Sequence, residues 1–85
     1  MKIDVGHLIE KKLQERERST SWLAGKVAHS RSSLYKILKQ TEMSTDLLMR
    51  ISIALDYDFF HHYSVSLQNI NETKKEREDT DNQFI

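Results

Sequence analysis

The chain has 85 residues, of which 38% are hydrophobic and 31% charged, and its formal net charge is zero. This composition predicts one small soluble globular domain, excludes a disordered chain, and leaves no room for a deep cleft between lobes. With no cysteine, the chain has neither disulfides nor cysteine-based zinc sites. Because the sequence shows neither a signal peptide nor a membrane-spanning stretch, we expect a cytoplasmic, nucleoid-associated protein with no membrane partner.

The zero net charge hides an asymmetry between the two halves of the chain. Residues 1–40 contain nine Lys or Arg against four Asp or Glu, whereas residues 41–85 contain four against nine. This asymmetry predicts a basic face that meets a polyanion and an acidic remainder that is turned away from it.

The first predicted element is an amphipathic helix over residues 4–17, with Asp4 as its N-cap. Its apolar residues recur at helical spacing, with charged residues between them. They are Val5, Leu8, Ile9 and Leu13. The polar run over residues 16–21 ends this helix.

Two short helices are predicted next. Ser19 or Thr20 caps the second helix, which reaches Val27, and Ser30 caps the third, which runs over residues 31–40. Leu34, Ile37 and Leu38 of the third helix are expected to point into the core.

The second half of the chain predicts two more helices and a polar tail. Ser44 or Thr45 caps the fourth helix, and Asp58 caps a fifth over about residues 59–64. Aromatic residues of the fifth helix are expected to close the core. They are Phe59, Phe60 and Tyr63. Alternatively, part of this aromatic cluster forms a dimer surface.

The only candidate for a strand is the short alternation of apolar and polar residues over residues 64–67. We assign residues 1–67 to the domain and predict residues 68–85 to be a flexible tail or a solvated helix.

The segment over residues 20–39 carries the functional information. Ala24, placed between the core residues Leu23 and Val27, is small enough to let the following helix cross close by. On that following helix, Leu34 and Ile37 face the same core. This segment resembles the helix-turn-helix of the Cro/phage-repressor (XRE) family, and residues 45–60 resemble the fourth and fifth helices of the family. The resemblance covers about residues 4–64 and implies a compact, all-α, five-helix repressor-like domain.

One residue departs from the family pattern. The first residue of the turn is commonly Gly in this family, because Gly accepts a left-handed backbone at little steric cost. Here it is Ala28, for which a left-handed backbone costs about 1 kcal/mol. We therefore expect a turn that is wider than usual.

The outward face of the third helix carries hydrogen-bonding residues and no acid. They are Ser30, Arg31, Ser32, Ser33, Tyr35, Lys36 and Lys39. The resemblance places Arg31, Ser32 and Lys36 at the positions that read base edges in the major groove. Tyr35 is expected to contact a thymine methyl group or a phosphate, and Lys39 a phosphate. At the start of the second helix, Thr20 and Ser21 are placed to offer hydroxyl and backbone N–H groups to a phosphate.

The resemblance implies sequence-specific binding of double-stranded DNA by a prokaryotic or phage transcription regulator, with repression as its simplest action. We expect a homodimer with one recognition helix in each half-site. The alternative is a protein-interaction module, such as the antitoxin of a toxin–antitoxin pair, in which the acidic second half binds a protein partner. The acid-free face of the third helix favours DNA, because an adaptor does not need to keep acids away from that face.

We expect neither an enzyme nor a metal-binding protein, and no cofactor. Nothing in the chain resembles a nucleophile elbow, a phosphate-binding loop or a paired-carboxylate cleft. The neighbouring His61 and His62 would point about 100° apart on a helix. His7 and His29 have no partner at the spacing of metal ligands.

Overall fold

The computed structural model describes residues 3–77, and within this range the chain forms helices and no strand. The helices are α1 (Val5–Glu15), α2 (Thr20–Lys26), α3 (Arg31–Leu38), α4 (Thr45–Leu55) and α5 (Phe60–Arg77). The predicted all-α, five-helix fold is thus confirmed. No helix between residues 3 and 77 combines the length and apolar character that a membrane crossing requires.

Each helix begins at a side chain that caps its free backbone N–H groups. The four caps of α1 to α4 each accept a hydrogen bond, 3.0–3.1 Å long, from the backbone N–H three residues further on. They are Asp4, Ser19, Ser30 and Ser44. The carboxylate of Asp58 accepts from the backbone N–H groups of Phe60 and His61 at the start of α5. These caps agree with the predicted ones.

One apolar core lies between the helices. Its fully buried members come from α1 to α4, from Val27 at the end of α2 and from the residue that precedes α5. The largest are Ile9, Leu23, Leu34, Leu38, Ile51 and Phe59. Phe60 and Ile37 are half-buried against this core. The prediction for Tyr63 is wrong, because 39% of this residue remains exposed at the edge of the core.

Three helix boundaries differ from the predicted ones by two residues or more. The first and third helices each end two residues early, at Glu15 and Leu38. The fifth continues to Arg77 instead of ending near residue 64, and it includes the candidate strand over residues 64–67. No Pro or Gly interrupts residues 60–77, and their last third consists largely of good helix formers. The helical alternative for the tail therefore holds for residues 68–77, and residues 78–85 lie outside the described part of the chain.

Candidate nucleic-acid interface

The helices α2 and α3 form a closely packed pair that is joined by a short turn. Leu23 and Ala24 of α2 are buried where the pair meets, together with Leu34 of α3. The single methyl group of Ala24 lets the backbones approach, as expected from its size. The core therefore fixes one side of α3 and leaves the opposite side open.

The turn between α2 and α3 is left-handed at Ala28. This residue has a φ of 59°, and the next backbone N–H, of His29, donates to the carbonyl of Ala24 at 3.0 Å. A hydrogen bond over this span, around one left-handed residue, is the Schellman closure that commonly ends helices at Gly. The expectation of a wider turn is therefore wrong, because Ala28 adopts the left-handed backbone at a steric cost of about 1 kcal/mol.

The C-terminal end of α3 rests on α1 at a glycine. Gly6 is buried in the first turn of α1, against the backbone of Leu38 and Gln40. A methyl group at this position would overlap the carbonyl oxygen of Leu38 and would lie 2.8 Å from that of Gln40. Because only Gly permits this approach, Gly6 helps to set the position of α3 relative to the rest of the domain.

Four of the predicted site residues share the open face of α3. Arg31 and Tyr35 are one helical turn apart, as are Ser32 and Lys36, and all four are exposed. Together they line one shallow depression. This face presents a guanidinium, an ammonium, two hydroxyl groups and an aromatic ring, which is the set of groups that contacts base edges and phosphates.

The two other predicted serines, the N-cap Ser30 and Ser33 of α3, are placed differently from each other. Ser30 is exposed and uses its oxygen to accept the backbone N–H of Ser33 at 3.1 Å, which leaves its hydroxyl hydrogen able to donate. Ser33 is half-buried, and it is not among the residues that line the depression. Neither Ser30 nor Ser33 lines the depression, and Ser30 is the more exposed of the two.

Lys39 has an acidic neighbour that the local sequence did not reveal. Its ammonium lies 3.3 Å from the carboxylate of Glu10 in α1 and 5.1 Å from the ring centre of Tyr35. The side chain of Lys39 is nevertheless 58% exposed, so its pairing with Glu10 is a surface ion pair. Lys39 can therefore exchange Glu10 for a phosphate at small cost.

Thr20 and Ser21 occupy the first turn of α2. Thr20 is half-buried and Ser21 exposed, and the cap Ser19 accepts the backbone N–H of Trp22 at 3.0 Å. The first backbone N–H groups of a helix have no partner within the helix, so those of Thr20 and Ser21 point outward with the positive end of the helix dipole. This arrangement is compatible with a phosphate contact.

A second group of basic residues surrounds Trp22. The Arg18 guanidinium lies 4.6 Å from the centre of the indole ring and the Lys26 ammonium 5.7 Å from it, while the ring itself packs against the core. Both distances are in the range of cation–π attraction. Trp22 thus packs against the core and attracts two cations, of which Lys26 lies on α2 and Arg18 precedes it.

No protein-family model matches this chain, and neither a curated protein nor a solved structure does. Among the described residues, no three His, Asp or Glu side chains are grouped closely enough to hold a metal ion.

Proposed function

We propose that this chain binds double-stranded DNA through the open face of α3 and acts as a transcription regulator, most simply as a repressor. The observation that carries the proposal is the grouping of Arg31, Ser32, Tyr35 and Lys36 on the one side of α3 that the core leaves open. An exposed helix in the second position of a helix-turn-helix fits the width of the major groove.

Each of these side chains has a role that follows from its chemistry. Arg31 lies in the first turn of α3 and donates two parallel hydrogen bonds to guanine, and Ser32 donates to or accepts from either purine. Lys36 lies one turn further along and reads a base or neutralises a phosphate. Tyr35, which is 53% exposed, contacts a thymine methyl group or a phosphate.

Phosphate contacts supply most of the affinity in this proposal. Lys39 contributes once it leaves Glu10, and Thr20 and Ser21 contribute from the start of α2. Two copies would place one α3 in each half-site, with half-sites about 34–36 Å apart along the duplex.

The test is selection of the tightest binders from a pool of random duplexes, carried out at two salt concentrations. Enrichment of a palindrome with half-sites one helical turn apart supports a dimeric sequence reader. Weak binding without sequence preference leaves only a basic surface and contradicts base reading. The absence of any binding contradicts the proposal and favours the protein-interaction alternative, including the antitoxin role.

A further inference from the structure

An apolar groove lies beside α5, next to the segment that joins α3 to α4. It consists of two adjoining depressions that share Glu42 and Tyr63. The other main apolar side chains of these depressions are Ile3, Met43, Phe60, Leu67 and Ile70. We call this surface the α5 groove. It leads from the edge of the core to the exposed part of α5.

The wall of the groove on α5 is a ridge of apolar side chains at helical spacing. Its members are separated by three, four and three residues, which places them on one face of the helix over about 15 Å. They are Phe60, Tyr63, Leu67 and Ile70. The exposed fraction rises from 39% at Tyr63 to 57% at Ile70. An exposed apolar surface of this shape on a small charged domain is typical of a site where an amphipathic helix of another protein docks.

One carboxylate lies where the two depressions meet. Among the described residues that line the groove, Glu42 is the only charged one, and the others are apolar or carry a hydroxyl group. Glu42 is exposed, and none of the ion pairs in the described part of the chain includes it. The α5 groove therefore presents a single negative charge within an apolar surface.

This charge determines which occupants fit the groove. A purely apolar occupant would remove the carboxylate of Glu42 from water without giving it a partner, which is costly. DNA and anionic membrane surfaces would place phosphates against the same carboxylate. Two copies that met groove to groove would bring two carboxylates together, and the described lining would supply no cation. A protein segment that carries its own cation satisfies both the apolar walls and Glu42.

We propose that the α5 groove binds an amphipathic helix of another protein, with a Lys or Arg of that helix paired to Glu42. Because Glu42 lies between the two depressions, the partner should carry apolar side chains about one helical turn before and after its cation. The α5 groove shares no lining residue with the depression on α3, so the proposal does not depend on DNA binding.

The first experiment is selection of binders to the full chain from random peptides displayed on phage. Peptides of about 16 residues are long enough for four helical turns. We expect enrichment of peptides in which one Lys or Arg has apolar residues three or four positions away on both sides. Backbone amide resonances in NMR should then change at residues 41–48 and 60–70. Failure to enrich any peptide, or enrichment of peptides without a cation, would overturn the proposal.

A charge reversal tests the pairing with Glu42. Glu42→Lys should weaken binding of the best selected peptide at least about tenfold. The same peptide with its cation replaced by Glu should bind this variant and not the wild type. Glu17→Lys is the matched control, because it changes the net charge equally at an exposed carboxylate that does not line the groove. Equal effects of the two substitutions, or no binding of the reversed peptide to Glu42→Lys, would contradict the pairing.

A second pair of variants tests the apolar wall without changing the charge. Leu67→Gln removes an apolar side chain from the groove and should weaken peptide binding about fivefold. Val65→Gln should leave the affinity unchanged, because Val65 is an exposed residue of α5 that does not line the groove. Far-UV circular dichroism verifies that each variant is folded. An unchanged affinity of Leu67→Gln would show that the peptide binds elsewhere.

Sedimentation and DNA titration separate the remaining outcomes. If the chain without peptide forms a dimer that Leu67→Gln weakens, a second copy occupies the groove and the inference fails. If peptides bind the groove and the chain binds no DNA, the proposed function fails and the inference stands. If DNA binds to α3 and no peptide binds to the groove, the inference alone fails.

Discussion

Replacing each of the two glycines by alanine tests how α3 is held in place. Both glycines lie inside helices, so the added methyl group gains about 1 kcal/mol of helix propensity at either position. At Gly25 nothing outside the adjoining residues and the backbone of its own helix lies within 4 Å of the new methyl group. At Gly6 the methyl group meets the backbone carbonyls of Leu38 and Gln40, which cannot move without displacing the end of α3.

The two substitutions should therefore change stability in opposite directions. Gly25→Ala should stabilise the fold by about 1 kcal/mol, which raises Tm by about 4–8 °C in a domain of this size. For Gly6→Ala, overpacking costs about 3 kcal/mol of stability, and the higher helix propensity of alanine offsets about 1 kcal/mol of this cost. The net loss of stability is about 2 kcal/mol. This loss lowers Tm by about 8–16 °C.

The assay is thermal and urea unfolding followed by far-UV circular dichroism, with Gly25→Ala as the control for helix propensity. Because Gly6→Ala also displaces the end of α3, it should weaken binding to a selected DNA site under conditions in which the variant is fully folded. If Gly6→Ala were as stable as Gly25→Ala, the close approach of α1 and α3 would not exist and the reasoning would be refuted.

Four further substitutions probe the turn, the face of α3 and the ion pair between Lys39 and Glu10. Ala28→Gly should stabilise the fold by about 1 kcal/mol in urea unfolding, since Gly relieves the left-handed strain; a loss of stability would contradict the turn geometry. Arg31→Ala should cost about 1–3 kcal/mol in titrations against the selected site and relax its sequence preference. Equal losses on all sequences would remove its base-reading role. Lys39→Ala should weaken all sequences alike and lower the salt slope by about one. Glu10→Gln frees the same lysine and should tighten binding by about 0.2–1 kcal/mol at low salt, and unchanged affinity would show that the ion pair does not compete with DNA.

Local chemistry made the helix starts predictable. Asp4, Ser19, Ser30 and Ser44 precede apolar residues at helical spacing, and a short oxygen-bearing side chain at that position satisfies a backbone N–H that nothing else reaches. The same spacing identified most of the buried residues. Helix ends were less predictable, as α5 shows. Its sequence contains no Pro or Gly that would end the helix, and its apolar residues stop recurring before the helix ends.

The features that the sequence did not reveal depend on contacts between distant segments. Glu10 meets Lys39 only because α1 packs on α3. Gly6 is one of two glycines in helical stretches, and only the approach of Leu38 distinguishes it from Gly25. Ala28 has the left-handed backbone that is usually reserved for Gly. This conformation is held because α2 packs on α3 and keeps the turn closed, and because alanine has the smallest side chain after glycine.

The central claim is that duplex DNA lies against the open face of α3. The most direct measurement is titration of the isotope-labelled chain with the selected duplex, or with a generic one if selection yields none, followed by backbone amide resonances in NMR. We expect the largest changes at residues 30–39, with further changes at Ser19, Thr20 and Ser21. Changes confined to α4 and α5, or none at all, would contradict the claim.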